Sequence, residues 1–349
     1  MNLEQQFCDE VRAAVAAKTR LKILGSGSKS FYGCRAVGQV LSLVGHRGIL
    51  HYEPTELVIT ARSGTPLKEV ETALTEQGQV LAFEPPHFGT DATLGGTLAT
   101  GFSGPRRPFA GSARDFVLGC KIVNGRGEIL SFGGEVMKNV AGFDVSRLMV
   151  GALGTLGVLL EISLKVLARP RCEMSLTFDC TVDAARERMT RWSSQALPVS
   201  ALAYDGRLRV RLSGAEPALR AAQRQLGGDA SETSGDYWIE LREQTLPFFR
   251  QAGDLWRISV PPAAPDLGIA GGCLTDWGGA LRWVKTDAAA SAVFAAAGKL
   301  GGHASLFRAS QGECRFQPLA PHLQTLHKRL KQAFDPHGIL NIGRMHEDW

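Results

Sequence analysis

The sequence predicts an α+β protein with more than one domain, and three observations lead there. Its 349 residues exceed the roughly 150 of an average domain. Between Gly25 and Gly157 there are 23 glycines in 133 residues, so the first part is dense in turns and close backbone approaches. After Pro170 the texture changes to strands, tight hairpins and amphipathic helices. Expected divisions are 1–170, 171–309 and a closing segment 310–349.

The elements follow from pattern and punctuation. Phe7, Val11 and Val15 at four-residue spacing predict a helix over Leu3–Ala17. Leu21–Leu24 is a short apolar strand running into Gly25-Ser-Gly-Ser-Lys-Ser30. Leu57–Ala61 is another strand. Thr65 as N-cap and Pro66 at the first helical position start a helix that stops at Gly78. Asp115–Val123 and Glu128–Phe132 read as strands joined by Asn124-Gly-Arg-Gly127. Val158, Leu160, Ile162, Leu164 and Val166 alternate with Glu161, Ser163 and Lys165, the pattern of a half-buried strand that Arg169-Pro170 ends.

Further on, Glu173–Asp179 is a strand and Val182–Ser193 a helix. Val199–Tyr204 and Arg207–Leu212 pair through Asp205-Gly206, and Glu216–Leu226 is a helix. Leu255–Val260 is a strand, Cys273–Trp277 and Ala280–Lys285 pair through Gly278-Gly279, Ala288–Leu300 is a helix and His303–Arg308 a strand. This recurrence suggests an antiparallel α+β domain of two similar halves. Pro321–Phe334 is the last helix.

Composition removes several classes of function. Hydrophobic residues are 44% and charged residues 21%, ordinary globular values that exclude disorder as the main state. A net charge of +5 is too weak to argue for nucleic acid. The uncharged run Leu148–Leu160 holds three glycines and is short of the roughly 20 apolar residues of a spanning helix. The start, MNLEQQFCDE, has no apolar core of a secretory signal. Cysteines at 8, 34, 120, 172, 180, 273 and 314 form no Cys-x-x-Cys pair, so neither a disulfide framework, an iron–sulfur cluster nor a zinc site is expected, and the default compartment is the cytoplasm.

Three glycine segments are candidates for function. Gly25, Ser26, Gly27, Ser28, Lys29 and Ser30 follow a strand, but Ser28 breaks the Walker pattern and Ser30 the dinucleotide fingerprint. What is left is either an ordinary turn or a loop whose N–H groups face a phosphate. In Thr93-Leu94-Gly95-Gly96-Thr97-Leu98-Ala99-Thr100-Gly101, two adjacent glycines cost a helix about 1 kcal/mol each. Either close helix–strand packing or a phosphate at a helix N-terminus needs them. Gly151-Ala-Leu-Gly154-Thr-Leu156-Gly157-Val158 turns into the long alternating strand as a bend, a bulge or a ligand contact.

Together and in this order, these segments resemble the FAD-binding domain of the vanillyl-alcohol-oxidase and p-cresol-methylhydroxylase type. The resemblance implies that Gly25–Ser30 holds the FAD pyrophosphate, that Thr93–Gly96 and its continuation through Thr100 and Gly101 to Gly104 line the same cofactor, and that Gly154–Val158 lies beside the flavin ring. Asp115–Gly119 and Asp335–Gly343 fit the same family. It implies an FAD domain of two subdomains plus an α+β cap. Tyr52–Thr60, Gly104–Pro108, Phe132–Gly142 and Asp276–Arg282 resemble, more narrowly, the FAD-binding subunits of glycolate oxidase (glycolate dehydrogenase). In that family the subunit works with a larger flavoprotein subunit of related fold and an iron–sulfur subunit, and any attachment to the inner membrane comes through the complex.

Two departures shape the expectation. Covalent relatives often carry a histidine in the first loop; here Ser28 and Lys29 stand there, so FAD is expected to bind noncovalently. The larger hydroxy-acid-oxidising subunits cluster histidines around a metal; here His303 stands alone, and His322 and His327 point about 140° apart on their helix, so no metal is expected. A carboxylate substrate needs an Arg clamp, for which Arg106, Arg107, Arg282 and Arg308 are candidates against a structural reading of each. Lys138 and Asp144 flank a glycine turn and read as solvated loop residues. No catalytic base is assigned. The leading function is an FAD subunit of a complex oxidising glycolate, with D-lactate a further candidate. The alternatives are an autonomous 2-hydroxy-acid dehydrogenase and a scaffold with little redox work.

Overall fold

A computed structural model describes residues 2–134, 144–230, 234–309 and 316–346. Helix α1 (Leu3–Ala17) is capped by the Asn2 side chain, which accepts from Glu4 N. Its apolar face (Phe7, Cys8, Val11, Ala14) shares a core with Leu21 and Leu41, from strands β1 (Leu21–Leu24) and β2 (Gln39–Ser42). These two strands are parallel. Parallel neighbours need a long crossover, and residues 25–38 supply it without any helix or strand. The first glycine loop is therefore chain that the ladder leaves free.

Next come β3 (Ile49–Glu53), β4 (Val58–Arg62), α2 (Leu67–Glu76), β5 (Gln79–Val80), α3 (Leu94–Thr100), α4 (Arg107–Ala110), α5 (Ala113–Phe116), β6 (Val117–Val123), β7 (Ile129–Gly133), α6 (Val145–Leu148), β8 (Val158–Lys165) and β9 (Leu167–Ala168). An antiparallel five-stranded sheet runs β3-β4-β8-β6-β7. Strand β8 lies at its centre and is buried on both faces, not half-buried as its alternation predicts. Val158 and Leu160 face the α1 core, while Leu159, Ile162 and Leu164 face the core under α2 and α3. The start of α2 also differs from expectation: Pro66 is the cap residue, and the Thr65 hydroxyl bonds with Gly48. Asp115 belongs to α5, where it forms a capping box with Ser112.

The remaining elements are β10 (Cys172–Phe178), α7 (Val182–Ser193), β11 (Val199–Tyr204), β12 (Leu208–Gly214), α8 (Glu216–Leu226), β13 (Asp229–Ala230), α9 (Ser234–Glu243), α10 (Pro247–Arg250), β14 (Leu255–Ser259), β15 (Gly272–Asp276), β16 (Leu281–Lys285), α11 (Ala290–Lys299), β17 (His303–Arg308) and α12 (Pro321–Phe334). They build an eight-stranded sheet, β13-β10-β12-β11-β15-β16-β14-β17. By chain order its first half reads 4-1-3-2 and its second 2-3-1-4, joined where Tyr204 meets Thr275. One face is apolar under α7, α8 and α11. The opposite face carries Arg209, Arg211 and Arg257 on strands whose neighbouring residues are buried on the helix side.

That polar face meets the first sheet's loops. The Glu84 carboxylate accepts from Arg106 N and Nε and pairs with Arg211 at 2.8 Å. The Trp277 indole N–H donates to the Gly104 carbonyl at 3.0 Å. Phe31, Tyr32, Phe88 and Phe102 pack around Phe307 of β17. After α12 the chain returns to the first unit: Leu340 bridges Leu21 in parallel. Among the described residues no helix is long and apolar enough to cross a membrane.

Candidate functional site

A groove opens where the β1–β2 crossover, α3 and the turn before β8 converge. Its walls include Gly25, Ser26, Gly27, Ser28, Lys29 and Ser30, then Thr93, Gly95, Gly96 and Thr100, then Gly154 and Gly157. The three glycine segments, remote in sequence, thus line one space. Other predicted positions do not reach it. Leu94 and Leu156 belong to the core beneath α2 and α3, and Val158 to the α1 core. Gly101 ends α3 with its back on Gly151, and Gly104 is pressed against the Glu84 carbonyl.

The glycines act differently from one another. A Cβ on Gly25 would lie 2.5 Å from Thr93 Oγ1, and one on Gly154 would lie 2.7 Å from Asn341 Nδ2, so at both places one wall closes on another. A Cβ on Gly95 would fall 2.7 Å from Ser63 Cβ, which is close packing of α3 on the end of β4. On Gly96 it would meet only Thr93 Oγ1, at 3.1 Å, and a larger side chain there would enter the groove. The expectation that free N–H groups at the start of α3 face a phosphate is corrected. Leu94 N donates to Thr65 O, Gly95 N to Ser63 O, Gly96 N to Thr93 Oγ1 and Thr97 N to Thr93 O.

Free donors lie in the crossover instead. Gly27 has φ +84°, and the main-chain N–H groups of Ser26, Gly27 and Lys29 donate to no described atom, whereas Ser30 N closes a turn on Gly27 O. Successive unpaired N–H groups in such a turn form an anion-binding concavity. Lys22 and Arg344 stand at the rim. The Arg344 guanidinium donates to the carbonyls of Ser30 and Cys34, which fixes the loop from behind. Asn341, at φ +45°, accepts from Ile23 N at 2.8 Å and donates to Leu153 O at 2.7 Å, tying the crossover to the β8 turn. The only sequence signal for Arg344 is its place just after the 335–343 segment.

Lys29 is buried. Its ammonium donates to His87 O at 3.1 Å, and burial brings its pKa down to about 8 against the raising effect of Glu243. The arginine candidates separate. Arg106 is bound into the Glu84 hub, and Arg282 donates to the carbonyls of Gly279 and Ala264, so the structural reading holds for both. Arg107 stacks on Trp277 at 4.3 Å, and Arg308 stacks on Phe31 at 4.3 Å. Asp144 caps α6 and pairs with Arg147, while Lys138, Cys314 and most of the Phe132–Gly142 phrase lie outside the described residues. Among the described residues no three His, Cys, Asp or Glu side chains are grouped to hold a metal.

A family model described as an FAD binding domain matches residues 2–133. Glycolate oxidase subunit GlcE of Escherichia coli is 51% identical over 345 residues, covering 99% of this chain and 97% of that protein. The chain belongs to the GlcE family. GlcD of Bacillus subtilis, another glycolate oxidase subunit, is 30% identical over 172 residues, 49% of this chain and 35% of its own length. Among solved structures, p-cresol methylhydroxylase aligns with TM-score 0.69 at 14% identity over 98% of this chain and 87% of that one. Alkyldihydroxyacetonephosphate synthase aligns with TM-score 0.67 at 16% identity over 96% and 73%. The fold of this GlcE-family chain is therefore of the p-cresol-methylhydroxylase type, and its cofactor is FAD. The groove fits that group: its length is lined by glycine faces, and a concavity of unpaired N–H donors flanked by Lys22 and Arg344 suits a pyrophosphate.

Proposed function

We propose that this chain is the FAD-holding subunit of an assembly that oxidises glycolate, and D-lactate as a further substrate, to the 2-oxo acid. Residues 1–170 hold the cofactor, 171–309 cap it, and 310–349 return to brace it. The observation that carries the reading is the single groove shared by Gly25–Ser30, Gly96 and Gly154, in a chain half identical to a glycolate oxidase subunit along its whole length. The crossover N–H groups of Ser26, Gly27 and Lys29 bind the pyrophosphate, Gly96 and Thr100 leave room for the body of the cofactor, and Gly154 and Gly157 bring main chain alongside it. Asn341 and Arg344 keep these walls together.

Bound FAD supplies a two-electron acceptor. The chain's own residues orient it and exclude water. No histidine lies in the crossover to attach it, so the bond is noncovalent. With no metal group and no cysteine cluster among the described residues, the electrons leave to an iron–sulfur partner and a larger flavoprotein subunit completes the hydroxy-acid site. The assembly works in the cytoplasm and reaches the inner membrane only through its partners. Acid precipitation tests the cofactor reading: all yellow colour passes to the supernatant, and flavin kept in the pellet would refute the noncovalent bond. Dye reduction tests the assembly: the isolated chain turns glycolate over slowly or not at all, and partners restore activity. Equal turnover per flavin in both states would establish an autonomous dehydrogenase instead.

A further inference from the structure

Strand β2 leaves one of its two edges open. It forms a two-stranded sheet with β1 alone. Gln39 N donates to Arg20 O, and Leu43 N donates to Leu24 O. By the two-residue period of a strand, the main-chain groups of Gln39, Leu41 and Leu43 therefore face β1, and those of Val40 and Ser42 face outward. No described residue pairs with that outer edge. The far side of β1 is different, because it is covered by the returning chain: Leu21 N donates to Ile339 O, Asn341 N to Leu21 O, and Ile23 N to Asn341 Oδ1.

Soluble proteins protect an open edge with a charge, a proline or a bulge, which stops another strand from adding. The ten residues Val37–His46 contain no Lys, Arg, Asp, Glu or Pro, and the β1–β2 register runs without a shift. The edge instead shows Val37, Val40 and Val44, which are 64%, 52% and 46% exposed. The charge around it has one sign. Residues 11–52 hold seven Lys or Arg and no Asp or Glu, although the whole chain carries only +5. Arg35 and Arg47 stand exposed at the two ends of the apolar stretch, and Arg20 beside Gln39, and none of the three is in an ion pair with a described residue.

We propose that the open edge of β2 adds an extended segment of another subunit of the assembly, apolar in its middle and carrying carboxylates at its two ends. Each property of the occupant answers one of the edge. Outward N–H and C=O groups on Val40 and Ser42 are matched by a strand, which presents acceptors and donors at the same spacing. The valines are covered by apolar side chains, and the unpaired arginines at both ends select acids. A second copy of this chain fits less well. Two β2 strands paired antiparallel about Leu41 would set Arg35 of each opposite Arg47 of the other, and like charges directly opposite are destabilising. That the segment comes from another subunit rests on the assembly reading above; the open edge itself does not.

Residue-resolved amide hydrogen exchange, on the isolated chain and on the assembled complex, tests this. In the isolated chain Leu41 N–H exchanges slowly and those of Val40 and Ser42 rapidly; assembly slows the latter two at least about 10-fold. Val40→Pro removes an outward N–H where an edge strand accepts proline, so the isolated variant keeps the wild-type melt and flavin content while its affinity for the other subunits falls at least about 10-fold. Should Val40→Pro fail to fold, Arg35→Glu with Arg47→Glu carries the same comparison, with a similar loss that shrinks at high salt. Val40 and Ser42 amides that exchange equally fast in the complex, or variants that assemble like wild type, would overturn the proposal. An isolated chain that is dimeric with both amides already protected would assign the edge to a second copy and overturn the choice of occupant. Wild type that forms no complex would remove the assembly reading and this proposal together, whereas a complex with an unprotected edge removes this one alone.

Discussion

Gly95 and Gly96 are adjacent and have opposite consequences. A side chain on Gly95 collides with Ser63 Cβ and O within 2.9 Å, whereas one on Gly96 meets a single hydroxyl and then open groove. Gly95→Leu is therefore expected to lower the melting temperature sharply, with a loss of about 2–3 kcal/mol from overpacking. Gly96→Leu is purified with little flavin and melts within about 2 °C of flavin-free wild type, and absorbance at the flavin band together with a thermal melt separates the two. The sequence marks both glycines equally, because a glycine pair in a helix signals close approach without saying to what. Lys29 was legible as a loop residue, and its burial was not, since the carbonyl it reaches is that of His87. Its pKa lies at about 8 in the fold against an ordinary 10.5, so its charge costs the folded state. That cost is full below pH 8 and disappears as pH rises to 10.5, at most about 3 kcal/mol. Lys29→Met is then more stable than wild type at pH 7 in urea titrations and loses that advantage near pH 10; an advantage unchanged between the two would contradict the assignment.

Elements with local signals were read well. Hairpin dipeptides and helix periodicity placed α1, α7, α8, β11, β17 and α12 on their observed residues. Helix α9 was not read, because its buried side chains make contacts that periodicity does not report: Tyr237 lies under Arg209 at 4.1 Å, and the Trp238 N–H donates to Ser175 Oγ at 2.8 Å. Arg257 carries a similar ambiguity, since an arginine in Leu255-Trp-Arg-Ile-Ser259 reads as the solvent side of a strand until the second sheet face is known to be covered. Helix α12 shows how an element can be placed and its role missed. Lys331 is buried and donates to Asp335 Oδ2, Thr155 O and Leu340 O, while Asp335 accepts from Ile339 N and Leu340 N. This clamp sets the register of the segment that brings Asn341 and Arg344 to the groove. Lys331→Met leaves Asp335 buried without its cation and is expected to cost about 3–5 kcal/mol and to loosen flavin together with the fold. Chemical denaturation checks it, and a midpoint equal to wild type would exclude the clamp as a brace.

At the scale of the molecule, two sheets meet across side chains far apart in sequence. Glu84 receives Arg106 and Arg211, and burial, which raises its pKa, is outweighed by these two guanidiniums, which hold it below the ordinary carboxylate range. Such long-range pairing has no sequence period, so the antiparallel α+β character of the second unit and the glycine segments are legible in the sequence while the junction is not. On the proposed function, the flavin held by this chain lies in the path of the electrons from glycolate. The direct measurement is glycolate-dependent dye reduction by the assembled complex carrying Gly96→Leu in this chain, with assembly verified by size and the flavin of the other subunit verified by absorbance. Normal assembly and turnover below about a tenth of wild type are expected. Normal assembly with full turnover would contradict it and leave this chain a scaffold.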